Sequence, residues 1–440
     1  MSQPARPAAV RSIEAILATF GLVKVLLRGE ARDLLVKTCR SGLRIKEGDR
    51  FRDVYFDGLL EDGGTFLKME EINSPDFDEQ AARASKPAEL DPVVFTFWGR
   101  ILGLLMPVRA KELCWRLADT LQRELGLEIS PTILRLRLST VYWQVRLYRL
   151  LLARVRPKAV LVSDTGEYAL RIASHRQNVL FVELQHGIFD ASHPDAIPAW
   201  VTGPAADLIL PDVLASRGRY WIEQLAGTRQ GRDHAVAVGS ELIDEARLRR
   251  RARAGDKSVH FVLTTQGLDS KRLVSWIKEM IAVAPPEVDW RLSIKLHPVY
   301  DRDNLDFAGL QTSERIRVIG GSEQPNVFDL LVKADLHFSI ASACHFDAAA
   351  LGVRTIVIPL AGHEQLLPAV DGTQIFLARD PADVWAIAAS PVDFGFEDIY
   401  RFSEPGFVAN MRKLAIGLAE SRISDQPVAC GDSPGRQCPK

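Results

Sequence analysis

Short apolar runs that each stop at a polar turn recur between residues 157 and 389, and that pattern narrows the possible folds more than any other feature. The clearest run is Phe181-Val182-Glu183-Leu184, closed by Gln185-His186-Gly187. A run this continuous suits a strand buried on both faces of a parallel sheet. Its turn then falls at the strand's C-terminal end, where open α/β sheets bind ligands. Glu183, inside the run, is expected to be a buried and paired carboxylate.

The alternation builds two halves. In the first, strands are expected over 159–163, 179–184, 206–210 and 235–238, with helices over 168–174 and 213–225. In the second, strands are expected over 259–263, 290–296, 316–319, 336–340 and 355–358. Helices follow from Asp269 or Ser270 as N-cap, over 326–333, up to Leu351 and over 383–389. The charged stretch 241–257, which carries Arg247, Arg249, Arg250, Arg251 and Arg253, reads as a solvated interdomain linker. A last helix is expected over 405–421 and a disordered tail over 422–440.

Ahead of this lie 156 residues of another character. Val54-Tyr55-Phe56 and Thr65-Phe66-Leu67 around Asp62-Gly63-Gly64 suggest a hairpin. Residues 74–92 read as a loop, and 93–156 as helices jointed at Pro107, Gly126 and Pro131. The organisation expected is an N-terminal domain over 1–240, helical from 93 to 156 and Rossmann-like from 157 to 240, and a C-terminal domain over 258–404. The fold class is α/β: two Rossmann-like domains facing a cleft, with a helical N-terminal region.

Composition sets the outer limits. A chain of 440 residues, 47% hydrophobic and 25% charged, has room for two cores. Its net charge of −1 argues against nucleic acid as a partner. Cys39, Cys114, Cys344, Cys430 and Cys438 show no metal-ligand spacing, so a reducing compartment and no metal site are expected. The polar, Pro-rich start has no secretory leader pattern, and the apolar segment 95–106, broken by Arg100, is too short to span a bilayer of about 20 residues. A cytoplasmic protein is expected. The basic helix over 140–156, with Arg146, Arg149, Arg154 and Arg156, fits either a peripheral contact with the inner membrane face or a core-packed helix with a solvated edge.

The strand ends carry the candidate chemistry. Lys295 and His297 share one strand face before Pro298. A lysine on a buried strand needs an anionic partner, and the histidine can donate to a phosphate oxygen; a salt-bridged lysine and a turn histidine would look the same. Ser339 and Ser342 precede a helix through Asp347, which suits an anion with Asp347 accepting from ribose hydroxyls, or simple capping. Thr265 and Gln266 sit in a strand-to-helix turn, and Glu364 follows the strand over 355–358. On the N-terminal side, His186, Asp164 and Glu167 are candidate acid/base groups. No G-x-G-x-x-G, Walker A or G-x-S-x-G pattern is present, so no dinucleotide or other cofactor is expected.

At Glu-Leu-Gln-His-Gly-Ile (183–188), Lys-Leu-His-Pro (295–298) and 339–359, the chain resembles bacterial surface-polysaccharide glycosyltransferases of the GT-B type. The Lys-x-His-Pro strand end followed by a serine turn is similar to bacterial sialyltransferases and polysialyltransferases, and to the glycerophosphotransferases of teichoic-acid synthesis. Asp164-Thr165-Gly166 departs from the acidic-acidic-Gly element of the sialyltransferases. The resemblance implies a C-terminal nucleotide-donor domain with His297, Ser339 and Ser342 on phosphate, and an N-terminal acceptor-side domain with His186 or Asp164 as base. It implies metal-independent sugar transfer from a nucleotide sugar to a capsule- or lipopolysaccharide-type glycan or glycolipid acceptor. Transfer of a polyol phosphate from a CDP-linked donor, and a non-catalytic binding protein of the same fold, are the alternatives.

Overall fold

The computed structural model describes residues 8–40, 44–61, 64–71, 77–185, 187–251, 258–298, 300–301, 305–311 and 313–417. Two six-stranded parallel sheets form its frame. The first contains β1 (Leu34–Cys39), β4 (Phe66–Glu71), β5 (Ala159–Val162), β6 (Leu180–Leu184), β7 (Val213–Ser216) and β8 (Ala235–Ala237), in the order β4-β1-β5-β6-β7-β8. A separate hairpin, β2 (Arg44–Glu47) with β3 (Arg50–Asp53), lies between β1 and β4 in the chain. The second sheet contains β9 (Val259–Thr264), β10 (Trp290–Lys295), β11 (Ile316–Ile319), β12 (Leu336–Ser339), β13 (Arg354–Val357) and β14 (Ile375–Leu377). Its order, β11-β10-β9-β12-β13-β14, is that of a dinucleotide-type Rossmann domain. The direction of chain progression reverses between β9 and β12, so a ligand crevice is expected over their C-terminal turns.

The core strands read as they fold. β5, β6, β7, β12 and β13 are buried along their whole length, as parallel strands covered on both faces must be. The N-terminal helical region packs as Ala8–Arg28, Val93–Leu105, Lys111–Leu125 and Pro131–Val155. Gly99 and Gly103 allow the second and fourth of these to touch: a Cβ on Gly103 would lie 2.9 Å from the Thr140 backbone nitrogen. The C-terminal half of the fourth helix seats Val145, Tyr148, Leu151, Leu152 and Val155 in a core shared with β1, β5 and β6.

Five expectations change, the first being that the segment 74–92, read as a loop, contains a short helix, Asp78–Ala82. The apolar residues 54–56 are turns rather than a strand, and β4 pairs parallel with β1, so the hairpin is the earlier one; Asp62 and Gly63 lie outside the described residues. The segment read as a strand over 206–210 begins as a short helix, Pro204–Asp207, with Pro at its start. The strand is instead Val213–Ser216, within what was read as helix; four apolar residues cannot be assigned by periodicity alone. The stretch 241–251 is a helix (Glu241–Arg251), not a solvated linker. Its arginines satisfy carbonyls of the second half: Arg247 donates to Ala350 O at 3.0 Å and Ser403 O at 2.7 Å, and Arg250 to Ala334 O at 2.9 Å. Helix ends leave such carbonyls without intrahelical partners, and guanidinium groups suit them. Residues 252–257 and 418–440, and with them the proposed tail, lie outside the described residues.

The chain finally crosses back to the first half. Phe402 packs on Tyr220, with ring centroids 5.1 Å apart, and Asn410 donates to Val238 O at 3.1 Å. The two halves thus share one hydrophobic cluster that includes Trp221, Phe346, Phe402 and Phe407.

Candidate active site

A cavity of about 1150 Å³ lies where the C-terminal ends of the two sheets face each other. Ligand pockets are commonly about 300–1,000 Å³, so this cleft has room for more than one small ligand. Its C-terminal wall comes from the turns after β9, β10 and β12, with Thr265, Gln266, Lys295, His297, Ser342 and Asp347 all lining it. Six residues that sequence reading placed at three separate strand ends and the helix that follows one of them are therefore brought to one surface.

Hydrogen bonds across the switch point fix these turns. Gln266 Oε1 accepts from the Ala341 backbone N–H at 3.0 Å, joining the turn after β9 to the turn after β12. Thr265 Oγ1 donates to Asp301 at 2.6 Å and accepts from the His297 N–H at 3.0 Å. Asp301 also accepts from the Gly267 N–H at 2.7 Å. Gly267 has φ +70, and a Cβ there would stand 2.7 Å from Tyr300 Cβ. A glycine is needed on both counts.

Lys295 and His297 are held in different ways. Lys295 Nζ donates to two backbone carbonyls, Gly320 O at 2.8 Å and Glu323 O at 2.6 Å. Among the described residues no carboxylate lies within ion-pair distance of it. Burial pushes its pKa down to about 8, against the pull of Glu323. His297 Nδ1 accepts from the Tyr300 N–H at 3.2 Å, which leaves the ring proton on Nε2. The ring stacks on Tyr300 at 4.5 Å, and burial lowers its pKa, opposed by Asp301. The pair thus presents a cation and a neutral N–H donor.

Other sequence candidates are placed elsewhere. Ser339 is fully buried and its hydroxyl donates to Thr264 O at 2.6 Å, so it braces the sheet rather than facing the cleft. Ser342 does line the cavity, and its hydroxyl accepts from the Cys344 N–H at 3.2 Å as the helix Cys344–Ala350 begins; the N-cap itself is Ala343. Glu364 is exposed, accepts from the Gly362 N–H and does not line the cavity. Glu167 is tied to Lys37, which also pairs with Glu71 at 2.6 Å, and lies off the cavity wall. Burial raises its pKa, and Lys37 opposes that. Asp164 accepts from the Thr165 N–H at 2.9 Å and is also off the wall. His186 lies outside the described residues, while its neighbour Gln185 lines the cavity. Glu183 is the paired carboxylate expected: Arg171 meets it in the interior, and burial, partly offset by Arg171, pushes it up to about 7.

The N-terminal wall and the hinge contribute residues that sequence reading missed. Arg217, one residue beyond β7, donates to Asp347 at 2.8 Å and so links the two halves across the cleft. Its backbone N–H donates to Gln185 Oε1 at 3.1 Å. Reading 213–225 as a helix hid it; a strand ending at Ser216 would have put Arg217 at a ligand-facing turn. Asp347, rather than waiting for a ribose, is engaged by Arg217, and burial raises its pKa against that pairing. Glu241 opens the helix after β8, lines the cavity and accepts from Arg52 at 2.5 Å. Burial pushes it up to about 7, opposed by Arg52. Tyr55 and Arg44 complete the wall, Arg44 paired with Glu70 in the interior. Tyr55 falls in the apolar run mistaken for a strand.

Comparisons with known proteins bear on the fold. No family model matches the sequence, and no curated protein is detectably similar to it. A Listeria monocytogenes protein assigned as a UDP-N-acetylglucosamine 2-epimerase superposes with a TM-score of 0.52 at 14% identity, covering 90% of this chain and 99% of that one. Another UDP-N-acetylglucosamine 2-epimerase gives 0.50 at 11% identity, over 92% and 100%. The chain has the GT-B fold. The wall teichoic acid polymerase TagF gives 0.49 at 11% identity, over 94% and 99%. In GT-B terms, the cavity is the interdomain cleft, and its C-terminal wall is the face at the Rossmann switch point.

Proposed function

We propose that the protein is a glycosyltransferase: it takes a nucleotide-sugar donor on the C-terminal wall of the cleft and transfers the sugar to a glycan or glycolipid acceptor on the N-terminal wall. The observation that carries this reading is Lys295, a buried cation held only by carbonyl oxygens among the described residues, beside His297 at the mouth of the switch-point crevice. Carbonyls orient the ammonium and leave its charge to a ligand. A nucleotide phosphate supplies the matching anion. The GT-B neighbours named as epimerases of UDP-N-acetylglucosamine are consistent with a nucleotide-sugar ligand.

In this reading Lys295 Nζ, His297 Nε2–H and the turn at Thr265–Gly267 take up the negative charge that grows on the leaving nucleotide. Ser342 extends that wall. The acceptor hydroxyl must lose a proton as the bond to the sugar forms. His186, next to the cleft-lining Gln185, is the proposed base. Glu241, with its carboxyl near neutral pKa, is a second group in the cleft able to take up a proton. Asp164 and Glu167 serve structure rather than proton transfer. Acceptors of the capsule or lipopolysaccharide type would bring the work to the inner face of the cytoplasmic membrane.

The test is product analysis with CMP-, CDP-, UDP- and GDP-linked sugars and a glycan acceptor. Nucleotide release matched by sugar gained on the acceptor supports the proposal. CMP release with phosphorus gained on the acceptor identifies polyol-phosphate transfer instead. An epimerised donor with no nucleotide released, or binding without any turnover, removes the transferase reading.

A further inference from the structure

We infer that the acceptor unit entering the cleft is an uncharged, hydroxylated sugar held by Tyr55 and Ser240, an inference that rests on the proposed sugar transfer and names its acceptor. Tyr55 lines the cavity and is 8% exposed. Its hydroxyl makes no hydrogen bond among the described residues. Burial raises its pKa, so the phenol keeps its proton. The turn that carries it is built on buried charge. Lys68 is fully enclosed and pairs with Asp57. Asp57 accepts from the Asp53 N–H at 2.9 Å, and Asp53 accepts from the Tyr55 N–H at 3.0 Å. Such a clamp fixes the Tyr55 ring before any ligand arrives. The same turn meets the hinge: a Cβ on Gly58 would lie 1.9 Å from Glu241 Oε1, so the turn lies directly against the start of the helix Glu241–Arg251. Ser240, just ahead of that helix, also lines the cavity, and its hydroxyl has no hydrogen-bond partner among the described residues.

The charges on this wall are already matched. Arg217 pairs with Asp347, and Arg44 with Glu70. The Arg44 side chain is 1% exposed, so its guanidinium is not offered to a ligand. Gln185 is engaged at both ends, donating to Gly187 O at 2.9 Å and accepting from the Arg217 N–H at 3.1 Å. Glu241 adds a carboxyl, held by Arg52. A carboxylate or phosphate on the acceptor would therefore meet no uncompensated cation here among the described residues, and it would face Glu241 instead. Two neutral hydroxyls and an aromatic ring suit a neutral sugar. The hydroxyls donate to and accept from sugar hydroxyls, and the ring covers a C–H face of the sugar. In the proposed reaction the anion belongs to the opposite wall, at Lys295, so the cleft separates a charged donor from an uncharged acceptor unit.

The test is saturation-transfer NMR of the full chain with the methyl glycosides of glucose, galactose and mannose and of the corresponding uronic acids, alone and with CMP, CDP, UDP or GDP. Each pair differs only at C6, where the acid carries a carboxylate. At least one neutral glycoside is expected to bind wild type, at least about threefold more tightly than its uronic acid. Tyr55→Phe keeps the ring and loses the hydroxyl, so it should weaken that binding about threefold to tenfold, with the melting temperature unchanged. Tyr55→Leu should weaken it by more than about tenfold, and Ser240→Ala by about threefold. Uronic acids bound as tightly as their neutral partners, neutral binding unchanged in both Tyr55 variants, or no glycoside bound by folded wild type overturns the inference. Nucleotide calorimetry on the same proteins separates this from the donor site. Neutral-sugar binding that depends on Tyr55, in a protein that binds no nucleotide, removes the transferase reading and leaves the sugar site. Nucleotide binding without the sugar preference keeps the donor site and overturns the inference.

Discussion

Lys37 and Lys295 stand on corresponding strands, each second from the edge of its sheet, and both are buried. Lys37 meets two carboxylates, Glu71 and Glu167. Lys295 meets two neutral carbonyls, Gly320 O and Glu323 O. The contrast extends beyond the pair. The N-terminal half neutralises its buried charges internally, in Arg44–Glu70, Lys68–Asp57, Arg52–Glu241 and Arg171–Glu183. The C-terminal wall offers hydroxyls, a histidine N–H and a lysine with no described counter-charge. One half spends its cations on architecture, and in the proposed function the other holds one in place for an anion. Neither burial nor a missing counter-charge alone therefore marks a binding residue, since buried Arg354 is also held by the oxygens of Ile387, Ala388 and Ser390 away from the cleft; Lys295 differs in lining the cavity.

Removing each lysine separates the two roles. Lys37→Met leaves Glu71 and Glu167 without their cation. Loss of one partner of a buried pair costs about 3–5 kcal/mol. Because Glu71 is half exposed, about 2–3 kcal/mol is expected, read by urea unfolding at neutral pH, with nucleotide affinity unchanged. Lys295→Met removes a desolvated cation, so stability should hold or rise, while nucleotide affinity falls about 10–100-fold. Equal losses of stability in both variants would erase the distinction.

The pH dependence follows from the same difference. Lys295 has its folded pKa lowered to about 8 from 10.5. Its contribution to stability is therefore fully present above the unfolded value and lost as pH falls through about 8. Binding runs the other way, since an anion needs the charged form. Affinity is expected to fall as pH rises through about 8, by up to about tenfold per unit once the lysine titrates. Lys295→Met should flatten that slope while Lys37→Met keeps it.

A smaller effect tests the loop that carries the wall. Asp301 accepts from both Thr265 Oγ1 and the Gly267 N–H. Asp301→Asn keeps its shape and weakens charge-assisted bonds. About a threefold to tenfold loss of nucleotide affinity is expected by calorimetry, with little change in melting temperature.

Much of this arrangement was legible in the residues themselves. The runs ending at Gln185, Thr265 and His297 announced strand ends because buried parallel strands need continuous apolar residues and a polar stop. The turns after β9, β10 and β12 were placed correctly, and their Thr265, Gln266, His297 and Ser342 line one cavity with Lys295 at the end of β10 and Asp347 in the helix after β12. What escaped depended on partners far away in sequence. Ser339 looks the same as Ser342 in sequence, yet one hydroxyl reaches Thr264 O inside the sheet and the other lies on the cleft wall. Glu167 looks like a free acid until Lys37, 130 residues earlier, is folded beside it. Arg217 was hidden by a four-residue strand too short for periodicity to identify.

Calorimetric titration of CMP, CDP, UDP and GDP into wild type and His297→Ala at pH 7 tests the placement of the donor most directly. The expected result is saturable, one-to-one binding of one nucleotide class to wild type, at least about tenfold weaker in His297→Ala, whose melting temperature is unchanged. Binding of no nucleotide, or equal binding to both proteins, would contradict the assignment of the C-terminal wall as the nucleotide site.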